Sequence, residues 1–147
     1  MILDQSIIKI IANTQMTIGE LIQELEKIEN KGQGVFFDFE EAFPTDFESW
    51  RGYYCHLALC FDLGGYNMKK QGTTPQSVEQ LLQKARSAAS GIFGGWKGGL
   101  YQMDDNTPVW IANTGNGGCT ALIGVLERRD FNYILLLTGF KERKSYE

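Results

Sequence analysis

A chain of 147 residues with 43% hydrophobic and 22% charged side chains can build one core without disulfide staples. Its net charge of −4 is uneven: residues 1–75 carry 6 basic and 11 acidic groups, residues 76–147 carry 8 and 7. No apolar run approaches the ~18 residues of a membrane span, no basic n-region opens the chain, and the acidic half argues against tracking duplex nucleic acid, so a cytoplasmic, non-membrane protein is expected.

Residues 1–15 stand apart as an N-terminal arm, with 16–147 as a single domain. Ile7, Ile8, Ile10 and Ile11 are too apolar to be left wet. They form either an added edge strand or an arm exchanged between subunits, and a homo-oligomer is expected. Thr17 and Glu20 then make a capping-box pair ahead of an apolar stripe at Ile18, Leu21, Ile22, Leu25 and Ile28, with Gly32 as the stop. Val35 to Phe39 reads as a strand, and an acidic loop through Phe43-Pro44-Thr45 leads to Arg51. Tyr53 to Leu63 is apolar on both faces, which predicts a central strand.

A polar segment from Gly64 to Gly72 precedes the second helix. Thr74 is its expected cap and Pro75 suits its first turn, while Val78, Leu81, Leu82 and Ala85 form the buried stripe and Ser90-Gly91 the stop. Short strands follow around Leu100–Met103, Pro108–Asn113, Thr120–Glu127 and Tyr133–Thr138, separated by turn-forming residues. Short links make consecutive strands antiparallel. The expected class is α+β, with two helices on one face of a mostly antiparallel sheet of about six strands.

Catalytic chemistry is sparse. Cys55, Cys60 and Cys119 form no CxxC pair, and His56 is the sole histidine, so neither a zinc site nor a Cys/His nucleophile pair is favoured. No catalytic residue, metal ligand or cofactor is expected. Free thiols agree with a reducing compartment.

Two aromatic–glycine–cation clusters stand out instead: Trp50-Arg51-Gly52-Tyr53-Tyr54 and Phe93-Gly94-Gly95-Trp96-Lys97-Gly98-Gly99-Leu100-Tyr101. Arg51 offers a fork of donors matched to phosphate or carboxylate, or it packs on a tryptophan where the loop meets the strand. In the second cluster, glycine-rich backbone can converge its N–H groups on an anion, or simply make a wide turn plugged by Trp96. The cluster follows a helix rather than preceding one, and no GxxxxGK[ST] is present, which removes the nucleoside triphosphatase and Rossmann readings. Asn106 and Asn113 lie in stretches that suit either base recognition or plain turns. The candidate ligand-binding set is therefore Arg51, Tyr53, Trp96, Lys97, Gly98, Tyr101, Asn106 and Asn113.

The segments Met16-Thr17-Ile18-Gly19-Glu20-Leu21, Arg51-Gly52-Tyr53-Tyr54, Gly95-Trp96-Lys97-Gly98-Gly99 and Thr107-Pro108-Val109-Trp110-Ile111-Ala112-Asn113 carry a resemblance. With them the chain resembles a group of small bacteriophage-encoded accessory proteins over about Met16 to Val125. The resemblance implies a counter-defence role and no catalytic signature. It points to a non-enzymatic sponge for a nucleotide-derived immune signal of the cyclic nucleotide or cyclic ADP-ribose type. The competing expectation is a protein-binding inhibitor of a host defence complex that works through the acidic Asp38–Glu48 segment.

Overall fold

A computed structural model describes residues 15–50, 53–63, 75–94, 100–112 and 120–140, with 49–50, 53–56, 94 and 101 described by backbone alone. Helix α1 spans Ile18–Glu26, followed by strands β1 (Gly34–Phe37), β2 (Phe43–Trp50) and β3 (Tyr53–Asp62). Helix α2 spans Val78–Ala89, followed by β4 (Ile92–Gly94), β5 (Leu100–Gln102), β6 (Val109–Ile111), β7 (Thr120–Arg128) and β8 (Tyr133–Phe140).

Both helices begin at reciprocal capping boxes. In α1 the Thr17 hydroxyl accepts from Glu20 N–H at 3.1 Å and the Glu20 carboxylate accepts from Thr17 N–H at 2.8 Å. Ser77 and Gln80 repeat this in α2 at 3.2 and 2.9 Å. The cap of α2 is therefore Ser77 rather than Thr74. A side chain three residues ahead of Gln80 can exchange two hydrogen bonds with it, which fixes the start two residues beyond Pro75.

The described strands form a six-stranded sheet in the order β1-β8-β7-β6-β3-β2, and β4 and β5 form a separate hairpin. The α+β class holds, with a correction to the sheet. Pairs β2–β3, β6–β7 and β7–β8 are antiparallel, but β1–β8 and β3–β6 are parallel, so the sheet is mixed. β3, expected to be central, is paired on both sides but lies next to the edge strand β2. Residues 43–50, expected as a loop, are an edge strand instead. Pro44 sits at its second position, where an edge tolerates the missing donor, and the register shift between Pro44 and Phe47 is a bulge. The sheet curls so that its end strands β1 and β2 come into contact, and Phe37 N–H donates to the Ala42 carbonyl at 2.8 Å in the turn that joins them.

Alternate strand residues and both helices share one core, in which Ile18, Leu21, Val35, Leu57, Leu81, Val109 and Ile134 are fully buried. A smaller cluster of Trp110, Ala121, Ile123, Leu126 and Leu137 packs separately. β7 serves both because a bulge between Leu122 and Gly124 shifts its alternation, which leaves Leu122 and Val125 on the side of the larger core.

The halves of the chain repeat one another. Each runs helix, strand, strand, strand: α1-β1-β2-β3 and α2-β6-β7-β8. Each helix N-terminus is clipped to the start of the first strand of the other half and the residues leading into it. Ile18 and Gly19 donate to the Thr107 and Asp105 carbonyls at 2.8 and 2.9 Å, and Val109 donates back to Met16 at 3.0 Å. Val78 and Glu79 donate to Gln33 and Lys31 at 2.9 and 3.0 Å, and Val35 donates back to Gln76 at 3.0 Å. Strand pairing follows the same exchange, since β1 lies parallel to β8 and β6 parallel to β3. The β4–β5 hairpin has no counterpart in the first half.

Candidate functional site

The hairpin packs on the β2–β3 pair, β4 lying against β2 and β5 against β3. Between β2, β4 and α2 runs an open groove of about 600 Å³. Phe47 of β2, Phe93 of β4 and Pro75 supply its apolar surface. Gln76, just ahead of the α2 cap, and Gln80 and Gln83 on α2 add side-chain amides, with Lys84 beside them.

These polar groups are partly committed. Gln76 is 9% exposed, and its amide donates to the Pro44 and Thr45 carbonyls at 2.9 and 2.6 Å. Those bonds satisfy carbonyls at the β2 bulge. The other end of the same side chain, Oε1, is buried with no hydrogen-bond partner among the described residues. Lys84 bonds the Thr45 carbonyl at 3.0 Å and the Asp46 carboxylate at 2.9 Å, so its charge is neutralised locally. Gln83 donates to Glu79 at 3.2 Å.

The sequence-derived candidates relate to this groove through the strands that wall it. Trp50 pairs with Tyr53 across the β2–β3 hairpin, and Arg51 lies between those two positions, outside the described residues. Trp96, Lys97 and Gly98 lie between β4 and β5, also outside the described residues, as does Asn113. Tyr101 sits on β5 in register with Phe93, the ring that lines the groove. Tyr53 and Tyr101 are placed by backbone only. The two clusters, at positions 50–54 and 93–101 of the chain, thus belong to hairpins that pack together.

Asn106 lies elsewhere. It is exposed in a turn whose backbone carries structural duties: Asn106 N–H donates to the Asp104 carboxylate at 2.8 Å, and Asp104 N–H donates to the Thr107 hydroxyl at 3.0 Å. The same turn supplies the carbonyls that clip α1.

Phe47, Phe93, Gln76, Gln80 and Gln83 were not among the candidate ligand contacts from the sequence. The glutamine spacing was visible, but only the fold shows that the row faces β2. Among the described residues no group of three or more His, Cys, Asp or Glu side chains is placed to hold a metal ion. Cys60 is a free, partly buried thiol. Its pKa is pushed up to about 12, first by burial and then by the charge and hydrogen bond of Glu48 and the charge of Asp46. A thiol of that kind stays protonated at neutral pH and is a poor nucleophile. No helix among the described residues is long and apolar enough to cross a membrane.

Comparison of the chain with protein-family models, with curated proteins and with solved structures finds no match.

Proposed function

We propose that this protein binds and sequesters, without turning over, a nucleotide-derived signal of the cyclic nucleotide or cyclic ADP-ribose type. The supporting observation is that the β2–β3 and β4–β5 hairpins, which carry the two aromatic–cation clusters, pack together, and that β2 and β4 wall one groove with α2. A volume of about 600 Å³ is in the range of small-molecule sites, which run roughly 300–1,000 Å³. Phe47 and Phe93 offer ring faces to a base, and the glutamine row offers donors and acceptors to its edge. Because Lys84 is paired with Asp46, phosphate charge falls to Arg51 and Lys97. The counter-defence role rests on the resemblance to phage accessory proteins. Association of copies through the isoleucine-rich arm belongs to the same reading.

A thermal-shift screen against cyclic dinucleotides, cyclic trinucleotides and cyclic ADP-ribose isomers tests it. A ligand at about 100 times its Kd adds roughly 2.7 kcal/mol to the folded state, so one member of the panel raises Tm by several degrees. Heating the complex releases that molecule intact. Arg51→Ala and Phe93→Ala lower the shift, and Arg51→Ala leaves the unliganded Tm in place. Absence of any shift sinks the binding reading, and recovery of a hydrolysed ligand replaces it with an enzyme.

A further inference from the structure

The outer side of the β1–β8 pair carries a second groove, of about 480 Å³, built from different chemistry. Parallel pairing sets Gly34 beside Tyr133 and Phe36 beside Leu135, so Phe36, Tyr133 and Leu135 are half-buried on the side away from the main core. The rings run in a row. Phe131 stacks on Tyr133 with centroids 6.1 Å apart, and Tyr133 meets Phe36 edge to face at 5.7 Å.

The turn between β1 and β2 closes one end of this row with three acidic residues. Asp38 is an anchor: its carboxylate accepts from Thr138 N–H at 2.9 Å and from the Thr138 hydroxyl at 2.7 Å, which ties the turn to β8. Glu40 and Glu41 are exposed, both in left-handed backbone with φ of 48° and 54°. Neither carboxylate has a hydrogen bond or ion pair among the described residues.

The far end of the row already shows which group the rings accept. The Arg128 guanidinium carbon lies 5.0 Å from the Phe131 ring centroid, a cation–π contact. Arg128 thus serves one end of the row, and at the other end ring faces meet two unpaired carboxylates. A planar guanidinium satisfies both demands, stacking on a ring while donating a fork of N–H groups to a carboxylate. Phe131, 61% exposed, adds apolar surface beside Tyr133 at the Arg128 end of the row.

We propose that the Phe36–Tyr133 groove is a docking site for an arginine side chain of a partner polypeptide. Charge complementarity commits the occupant: a row of rings ending in two free carboxylates on the acidic half of the chain selects a cation and repels nucleotides. The site is independent of the nucleotide groove.

The test is an NMR titration of the full-length, uniformly ¹⁵N-labelled protein with the peptide acetyl-Leu-Gly-Ser-Arg-Gly-amide. Saturable shifts are expected at Phe36–Glu41 and Phe131–Leu135 and not along α2. The citrulline counterpart, isosteric but neutral, binds at least ~5-fold more weakly, because a charge-assisted hydrogen bond and the cation–π contact are both lost. Glu40→Gln with Glu41→Gln keeps the shape of the turn and lowers affinity by a similar factor. Tyr133→Leu lowers it without touching the carboxylates. Equal binding of the citrulline peptide, or shifts confined to other surfaces, overturns the proposal. Spermidine perturbing the same amides at equal or lower concentration overturns the polypeptide assignment in favour of a small polycation.

Discussion

The first half of the molecule, α1-β1-β2-β3, and the second, α2-β6-β7-β8, are two versions of one plan, and the difference between them is the β4–β5 hairpin. Everything the halves share is explained by folding. Capping boxes start both helices, the clips satisfy the first helical N–H groups, and each leading strand finds its parallel partner in the opposite half. The hairpin is not part of that exchange. Its outward residues Ile92 and Leu100 are 60% and 77% exposed, yet its other side supplies Phe93 to the groove. A segment the common plan does not require is free to carry sequence chosen for recognition, and this is where the glycine-rich second cluster occurs. On the first half, the departure is the turn with Glu40 and Glu41, the two positive-φ residues at the centre of a tight Phe39–Ala42 turn whose backbone the fold requires but whose acidic side chains it does not.

The interlocking of the halves can be broken most severely by separating them. Residues 1–74 and 75–147 produced as two polypeptides should each lack a cooperative thermal transition, since β1 and β6 lose their partners. The loss is the whole folding free energy, on the order of 5–15 kcal/mol. Mixing them should restore near-native far-UV circular dichroism. A cooperative melt of either half alone would show that the exchange is dispensable.

The equivalence of the helices is sharpened by Leu21→Ala and Leu81→Ala. Both leucines are 0% exposed and follow their caps at the same spacing. Each change should cost ~2–5 kcal/mol in urea denaturation. A difference above about 2 kcal/mol would mean that the two helices are not packed alike.

Gly19 and Glu79 hold equivalent positions, and here the halves should diverge. A Cβ at Gly19 would stand 2.8 Å from the Asp105 carbonyl oxygen and 3.0 Å from its Cβ. Gly→Ala in an unobstructed helix stabilises by ~1 kcal/mol, but Gly19→Ala should destabilise by about 1–3 kcal/mol because backbone has to move. Glu79→Ala, at a position that already accommodates a Cβ, should change stability by no more than ~0.5 kcal/mol. Similar small effects at both sites would show that the α1 clip yields easily.

The smallest effect is expected at the outer side of the hairpin. Ile92→Thr and Leu100→Thr remove exposed apolar surface and should shift stability by less than ~0.5 kcal/mol. A larger loss would show that the hairpin is covered by something and belongs to the shared scaffold after all.

Local chemistry was sufficient for much of this molecule. The stripes Ile18-Leu21-Leu25 and Val78-Leu81-Leu82-Ala85, the run from Tyr53, and the turn residues between the last strands announce their elements, because helix and strand periods show in a few consecutive side chains. Errors came where two local signals competed. Thr74-Pro75 imitated a helix start until the Ser77–Gln80 exchange prevailed, and Pro44 with its acidic neighbours imitated a loop where an edge position permits a strand. What no window of sequence contains is the pairing of Gly34 with Tyr133 or of Leu57 with Val109, because parallel partners are set by packing between distant segments. The same holds for both grooves. That Gln76 and Gln80 face Phe47, or that Glu40 stands at the end of a row of rings begun by Phe131, follows from the curl of the sheet and the exchange of strands. The residue types were legible in the chain, and tertiary structure alone decided which of them meet.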